Sequence, residues 1–215
     1  MKKVILLGDA IRVQYQERVR ELLSDICEVV WPDMNCGYSL STLWFFKKQH
    51  PEYGGEGMDL IHWNTGIWDL HRTLDDGEPL VTPGEYLYEN KRLHKLLASY
   101  TSNLIWATTT PAGEQYKYDP NTVYGVPREQ WNKEVFRNNA SVSAYLRSEG
   151  VKINDLHALM CAHPEYLAGD GIRLTDAGIE AVARQTADCI RAALEGVDEV
   201  RKDVGTAAEK QIQWY

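Results

Sequence analysis

The chain has 215 residues, a length that fits one domain. Hydrophobic residues make up 44% and charged ones 25%, close to the globular average, which argues against wholesale disorder and against a fibrous repeat. Lys and Arg number 23 against 31 Asp and Glu, a net charge of −8, so binding nucleic acid would need a local basic patch. Lys47-Lys48 and Lys91-Arg92 are too short to make one.

In chain order, Lys3–Leu7 reads as a buried strand stopped by Gly8. Val4–Leu7 is also too short for a signal h-region or a membrane span. Gln14–Asp25 follows as a helix, with Val19, Leu22, Leu23 and then Ile26 at helical spacing. Cys27–Trp31 is β-rich and stopped by Pro32; Ser39–His50 has Leu40, Leu43, Trp44 and Phe46 as a helical apolar set. Met58–Trp63 is the third strand candidate. Thr82-Pro83-Gly84-Glu85 predicts a helix start, with a capping Thr, Pro at the first helical position and Glu reaching back. That helix runs to about Thr101, and Leu104–Thr108 is the fourth strand. Pro127 opens a helix to about Glu149, Val151–Asn154 is a short fifth strand, and Thr175–Leu194 is the last helix.

Strands separated by helices imply right-handed crossovers and a parallel sheet covered on both faces. The expected fold is a flavodoxin-like three-layer α/β sandwich with a central parallel five-stranded sheet, over residues 1–195. The charged tail from Gly196 to Tyr215 either frays or docks on a partner subunit, which leaves a homo-oligomer open. Ligands in such sheets sit beyond the strands' C-terminal ends, where strand order reverses. That singles out Gly8–Tyr15, Asp33–Ser39, Asn64–Arg72, Thr109–Pro127 and the stretch around Asp170. Four scattered cysteines (Cys27, Cys36, Cys161 and Cys189) with no C-x-x-C pair point to a reduced, cytoplasmic, soluble protein. Six scattered His with no close pair argue for no metal, and no cofactor motif is present.

Those segments carry a resemblance. Gly8-Asp9-Ala10-Ile11-Arg12 is similar to the first block of the SGNH (GDSL) hydrolases, where the family has Gly-Asp-Ser. Asn64-Thr65-Gly66-Ile67-Trp68-Asp69-Leu70 resembles the block that supplies the family asparagine. Asp170-Gly171-Ile172-Arg173-Leu174-Thr175, with Gly178 behind it, resembles the Asp-x-x-His block, and Asn35-Cys36-Gly37 falls where the oxyanion glycine is expected. The resemblance implies the SGNH hydrolase fold and ester hydrolysis. In that chemistry a Ser attacks an acyl carbonyl, a His takes its proton, and an Asp three residues earlier orients the ring. It also implies oxyanion donors at the N–H of Ala10, the N–H of Gly37 and the amide of Asn64, each typically worth ~3–4 kcal/mol. Asp170 matches the orienting acid.

Two central positions depart from the pattern. Ala10 stands at the nucleophile position, and its methyl cannot attack. Arg173 stands at the base position; its guanidinium stays protonated and offers no acceptor. Ordinary family catalysis is therefore expected to be absent. Three explanations stay open: an engineered Ser-to-Ala change, a natural pseudoenzyme that keeps the pocket for binding, or different chemistry such as glycosidic cleavage by Asp9 and Asp170. Under the first, His157 or His163 could stand in as base; otherwise His157 is a helix-start residue and His163 a loop residue. Cys36 has no adjacent base in sequence to make it a substitute nucleophile.

Around the mouth, Arg12 is a candidate clamp for a carboxylate or acyl-sugar oxygen, or else a surface ion pair. Trp68, Asp69 and His71, with Arg72, are candidate sugar contacts, Trp68 offering a stacking face; alternatively Trp68 is core and the polar residues are loop. Tyr116, Tyr118 and Tyr124 lie on a segment long enough for a lid, or pack that loop on its own domain. The expected ligand is a small molecule or carbohydrate bearing an O-acyl group.

Overall fold

The computed structural model describes residues 1–53, 57–73 and 76–196. Its elements alternate as the apolar periodicity requires: β1 (Lys2–Leu7), α1 (Ala10–Leu22), β2 (Cys27–Val30), α2 (Ser39–Tyr53), β3 (Leu60–Asn64), α3 (Pro83–Ala98) and β4 (Leu104–Ala107). Then follow α4 (Arg128–Ser148), β5 (Lys152–Asn154), α5 (Leu156–Ala162), a 3-10 turn at Pro164–Tyr166, and α6 (Asp176–Glu195). The five strands are all parallel in the order β2-β1-β3-β4-β5. The expected three-layer α/β sandwich is what forms.

The central strand shows why both faces must be covered. Val4, Ile5, Leu6 and Leu7 are all fully buried. Val4 and Leu6 join one core with Tyr15 and Val19 of α1 and Val182 and Ile190 of α6. Ile5 and Leu7 join the other with Phe46 of α2, Leu93 and Leu97 of α3, and the indoles of Trp63 and Trp106. A strand without polar alternation is the signature of a sheet buried on both sides.

Helix starts follow their caps. Glu85 accepts the Thr82 backbone N–H at 3.0 Å, so the capping residues expected there open α3. The Thr175 hydroxyl accepts from Gly178 N–H at 3.1 Å and opens α6. The largest departures from expectation are one helix start and one short helix. Helix α1 begins at Ala10 rather than Gln14, because the Asp9 carboxylate accepts from Ile11 N–H at 3.0 Å and caps the helix four residues early. Helix α5 was foreseen only as the alternative reading of His157 as a helix start, and its seven residues are too few to show a period. The tail expected from Gly196 lies, beyond that residue, outside the described residues. Among the described residues no helix is long and apolar enough to cross a membrane.

Candidate active site

The chain runs from β1 to β2 on one side and then crosses to β3 on the other, so the strand order reverses between β1 and β3. Register pairs Leu7 with Trp63, which sets Gly8 level with Asn64. The approach is so close that a Cβ at Gly8 would stand 1.9 Å from Asn64 Oδ1, and Gly8 has φ +151°, a conformation that side chains rarely adopt. Asp9 follows, fully buried. Its Oδ1 accepts from Asn64 Nδ2 at 2.8 Å and from Ile11 N–H, and its Oδ2 accepts from Ile67 N–H at 3.4 Å. Burial raises the Asp9 carboxyl above the usual range, against the pull of those donors and of the Arg12 charge. Asp9 thus fastens the first turn of α1 to the end of β3. Asn64 Oδ1 has no partner.

Arg12 and the β2–α2 loop form the second wall. The Arg12 side chain is buried, donating from Nη2 to Met34 O at 2.6 Å and Gly8 O at 3.3 Å, and from Nη1 to Pro32 O at 3.4 Å and to Gln16 Oε1. Cys36 N–H donates to Gly8 O at 3.0 Å. Gly37 arrives beside this turn, and its own N–H donates to Asn35 Oδ1 at 2.9 Å. Cys36 is buried, and burial pushes its thiol up, away from thiolate.

The third wall comes from the far end of the chain. Asp170 Oδ1 accepts the N–H groups of Ile172 (3.0 Å) and Arg173 (2.9 Å), and Oδ2 accepts Arg173 Nε at 2.6 Å. Burial alone would raise the Asp170 carboxyl, but these donors and the guanidinium charge hold it below its ordinary value. Arg173 is largely exposed. Gln14 docks this block on α1: its Nε2 donates to Ala10 O at 3.0 Å and its Oε1 accepts from Leu174 N–H at 2.9 Å. Hydrogen bonds thus link Ala10 to the Asp170–Arg173 block through Gln14, and the first turn of α1 to Asn64 through Asp9, beyond the C-terminal ends of the strands.

An aromatic rim closes the circuit. The Trp68 ring lies 3.9 Å from the position a Gly37 Cβ would take. Trp68 and His71 have ring centroids 5.1 Å apart, and His71 meets Tyr124 edge-on at 5.4 Å. Tyr124 feels the charges of Asp170 and Arg173, its hydroxyl being raised chiefly by burial. Trp68 is more than a third exposed, whereas His71 is buried, its Nε2 lacks a partner, and burial lowers its pKa to about 4. Behind the rim Arg72 donates from Nη2 to both Glu134 oxygens, at 2.7 and 2.8 Å. Asp69 turns away from the rim: its Oδ1 accepts the N–H of Ser39 at 2.9 Å and its hydroxyl at 2.5 Å, and burial pushes its pKa up to about 7.

Other residues singled out in the sequence fall elsewhere. His163 is exposed, stacked on Tyr166 and 3.1 Å from Glu165 Oε1. His157 is half-buried on α5, its Nδ1 3.6 Å from Cys161 Sγ, and burial lowers its pKa. Tyr116 is buried and donates to Val126 O at 2.8 Å, while Tyr118 is exposed. Residues that sequence reasoning passed over are Gln14, Ser39 and Glu89, whose partners lie 30 to 160 positions away. Among the described residues no three His, Cys, Asp or Glu side chains converge to hold a metal ion.

No protein-family model matches the chain, and no curated protein matches it. Solved structures do. A GDSL-like lipase from Bacteroides thetaiotaomicron superimposes with a TM-score of 0.68 at 15% identity, covering 91% of this chain and 88% of its own. The native aryl esterase of M. smegmatis gives 0.67 at 15% identity, covering 90% of this chain and 100% of its own. A carbohydrate acetylesterase family member from Sinorhizobium meliloti gives 0.68 at 13% identity, covering 91% and 100% respectively. The shared feature at such identities is the fold, and it is that of the SGNH hydrolases.

Proposed function

We propose that this protein uses an SGNH-type pocket to bind an O-acylated small molecule, a carbohydrate ester, without ordinary triad turnover. The observation that supports this reading is the pair of links that tie the Ala10 turn to Asn64 through Asp9 and to the Asp170–Arg173 block through Gln14. A hydroxyl and a proton acceptor are missing at positions 10 and 173. What persists is suited to binding: the Asn64 amide at the end of β3, an exposed guanidinium, and the Trp68 face at the mouth. The esterase and acetylesterase neighbours support an acyl-bearing ligand, and four free cysteines fit a cytoplasmic setting.

The test is to restore the missing groups. The unaltered protein should release no acid from aryl acetates or acetylated sugars above buffer. Ala10→Ser with Arg173→His should gain measurable turnover, because Asp170 already accepts from residue 173 and would orient the new imidazole. Calorimetry with acetylated sugars should show saturable binding that Arg173→Ala weakens. A folded double variant that is inert, together with a flat calorimetric response, would sink the proposal.

A further inference from the structure

The two carboxyls behind the rim pose a hydrogen-counting problem. Ser39 Oγ lies 2.5 Å from Asp69 Oδ1 and also contacts Glu89 Oε2. A hydroxyl carries one hydrogen and can donate to only one carboxyl oxygen. Asp69 Oδ1 also accepts the Ser39 N–H, and the one hydroxyl hydrogen can go to either carboxyl but not to both. The other contact then needs a hydrogen of its own, and its source is one of the two carboxyls. Asp69 Oδ2, fully buried, has no donor to satisfy it.

The surroundings favour keeping that proton. Asp69 is fully buried and Glu89 half-buried on α3, and desolvation raises both carboxyls. Asp9 and Glu85 add negative charge, while Arg92 and the N–H of Leu40 act in the opposite sense. The Tyr86 hydroxyl faces Asp69 but donates to Thr65 O at 3.0 Å. Two full charges here would face each other with one hydroxyl hydrogen between them.

We propose that Asp69, Ser39 and Glu89 form a proton-holding clasp: one acidic proton, shared between the carboxyls across the Ser39 hydroxyl, ties the N-terminus of α2 to α3 and to the loop after β3. When that proton leaves to solvent as pH rises, the clasp opens and loosens the wall made by Gly37 and Trp68. The sign follows from the raised carboxyls: the folded state binds the proton more tightly than the unfolded chain, so the stabilisation is present at low pH and is lost as pH rises through the folded pKa. Three segments meet at the clasp: Gly37 lies two residues before Ser39, Trp68 one before Asp69, and Glu89 on the helix that packs beside α2. The device is independent of whether the cleft binds or turns over a ligand.

Amide exchange reads it without any ligand. Between about pH 6 and about pH 8.5, corrected for the intrinsic rate, amides of Ser39–Thr42 and Trp68–Leu70 should lose protection by about tenfold or more. Glu89→Gln supplies a permanent donor to Ser39 Oγ in place of the titrating carboxyl, so its protection should not change with pH. Equal responses in the two proteins, or full protection of the unaltered chain at both pH values, overturn the proposal. If Glu89→Gln does not fold, a carbon-detected NMR titration of the unaltered protein decides. A carboxyl step near neutrality for the Asp69–Glu89 pair supports the clasp, and titration of both groups at ordinary carboxylate pH refutes it.

Discussion

Acidification should weaken this protein through His62 on β3. Its ring is fully buried, and Asn154 Nδ2 lies 3.1 Å from Nε2 while also donating to Thr186 Oγ1 at 3.0 Å. Gln185 donates to Asn154 Oδ1 at 2.8 Å, which fixes the amide with its NH2 toward the imidazole. Nε2 is thus an acceptor, and protonating it would set one N–H against another. Burial lowers the pKa from 6.5 to about 3. The unfolded chain then takes up a proton at higher pH than the folded one, so stability is intact above the unfolded pKa and falls as pH drops toward the folded value. A gap of that size caps the loss at roughly 5 kcal/mol, of which about 2 kcal/mol is reached by pH 5. Asp69 works in the opposite direction, because its raised carboxyl gains protons on folding, so the total pH profile cannot isolate His62. The difference from His62→Gln can, since Gln keeps an acceptor for Asn154 and does not titrate. Urea unfolding should show the unaltered protein losing about 2 kcal/mol relative to that variant between pH 7 and pH 5. Parallel profiles would refute the assignment of His62 as a buried neutral acceptor.

Other expectations follow from the site. Arg72→Ala leaves the nearly buried Glu134 carboxylate without the guanidinium whose Nη2 donates to both of its oxygens, and should cost about 3–5 kcal/mol in chemical denaturation. Gly8→Ala places a Cβ against Asn64 Oδ1 in a disfavoured backbone region and should destabilise by about 3 kcal/mol or more; a near-neutral result would contradict the close approach of β1 to β3. In the Ala10→Ser, Arg173→His background, Asn35→Ala frees the Gly37 N–H from its side-chain acceptor and should raise kcat by up to about a hundredfold. An unchanged rate there would mean Gly37 does not face the acyl oxygen.

What the sequence disclosed was local or periodic. Thr82-Pro83-Gly84-Glu85 announced α3 because a capping box is written within four residues. The solid apolar run Val4–Leu7 announced a strand buried on both sides. The start of α1 was misjudged because Asp9 was weighed as a motif residue, while its carboxylate is the helix cap. The fate of Arg12 was illegible for a different reason. Its burial depends on carbonyls of Pro32 and Met34 in a loop whose path no local pattern specifies. Asp69 and His71, singled out as candidate sugar contacts, are buried and share that dependence: what surrounds them comes from α2, α3 and the segment around Tyr124.

The hook that Gln14 throws across to Leu174 has a consequence for how the molecule is made. It spans 160 positions, and it acts alongside the packing of the first helix on the last. Until α6 emerges and docks, Val4, Leu6 and Val19 lack the part of their cover that Val182 and Ile190 supply, with only α1 and its neighbours on that face. A nascent chain can therefore assemble β1 through β5 and still lack its cleft. A chain cut short before Thr175 would lack α6 and leave exposed the apolar surface that α6 covers, a patch for chaperones rather than for a ligand.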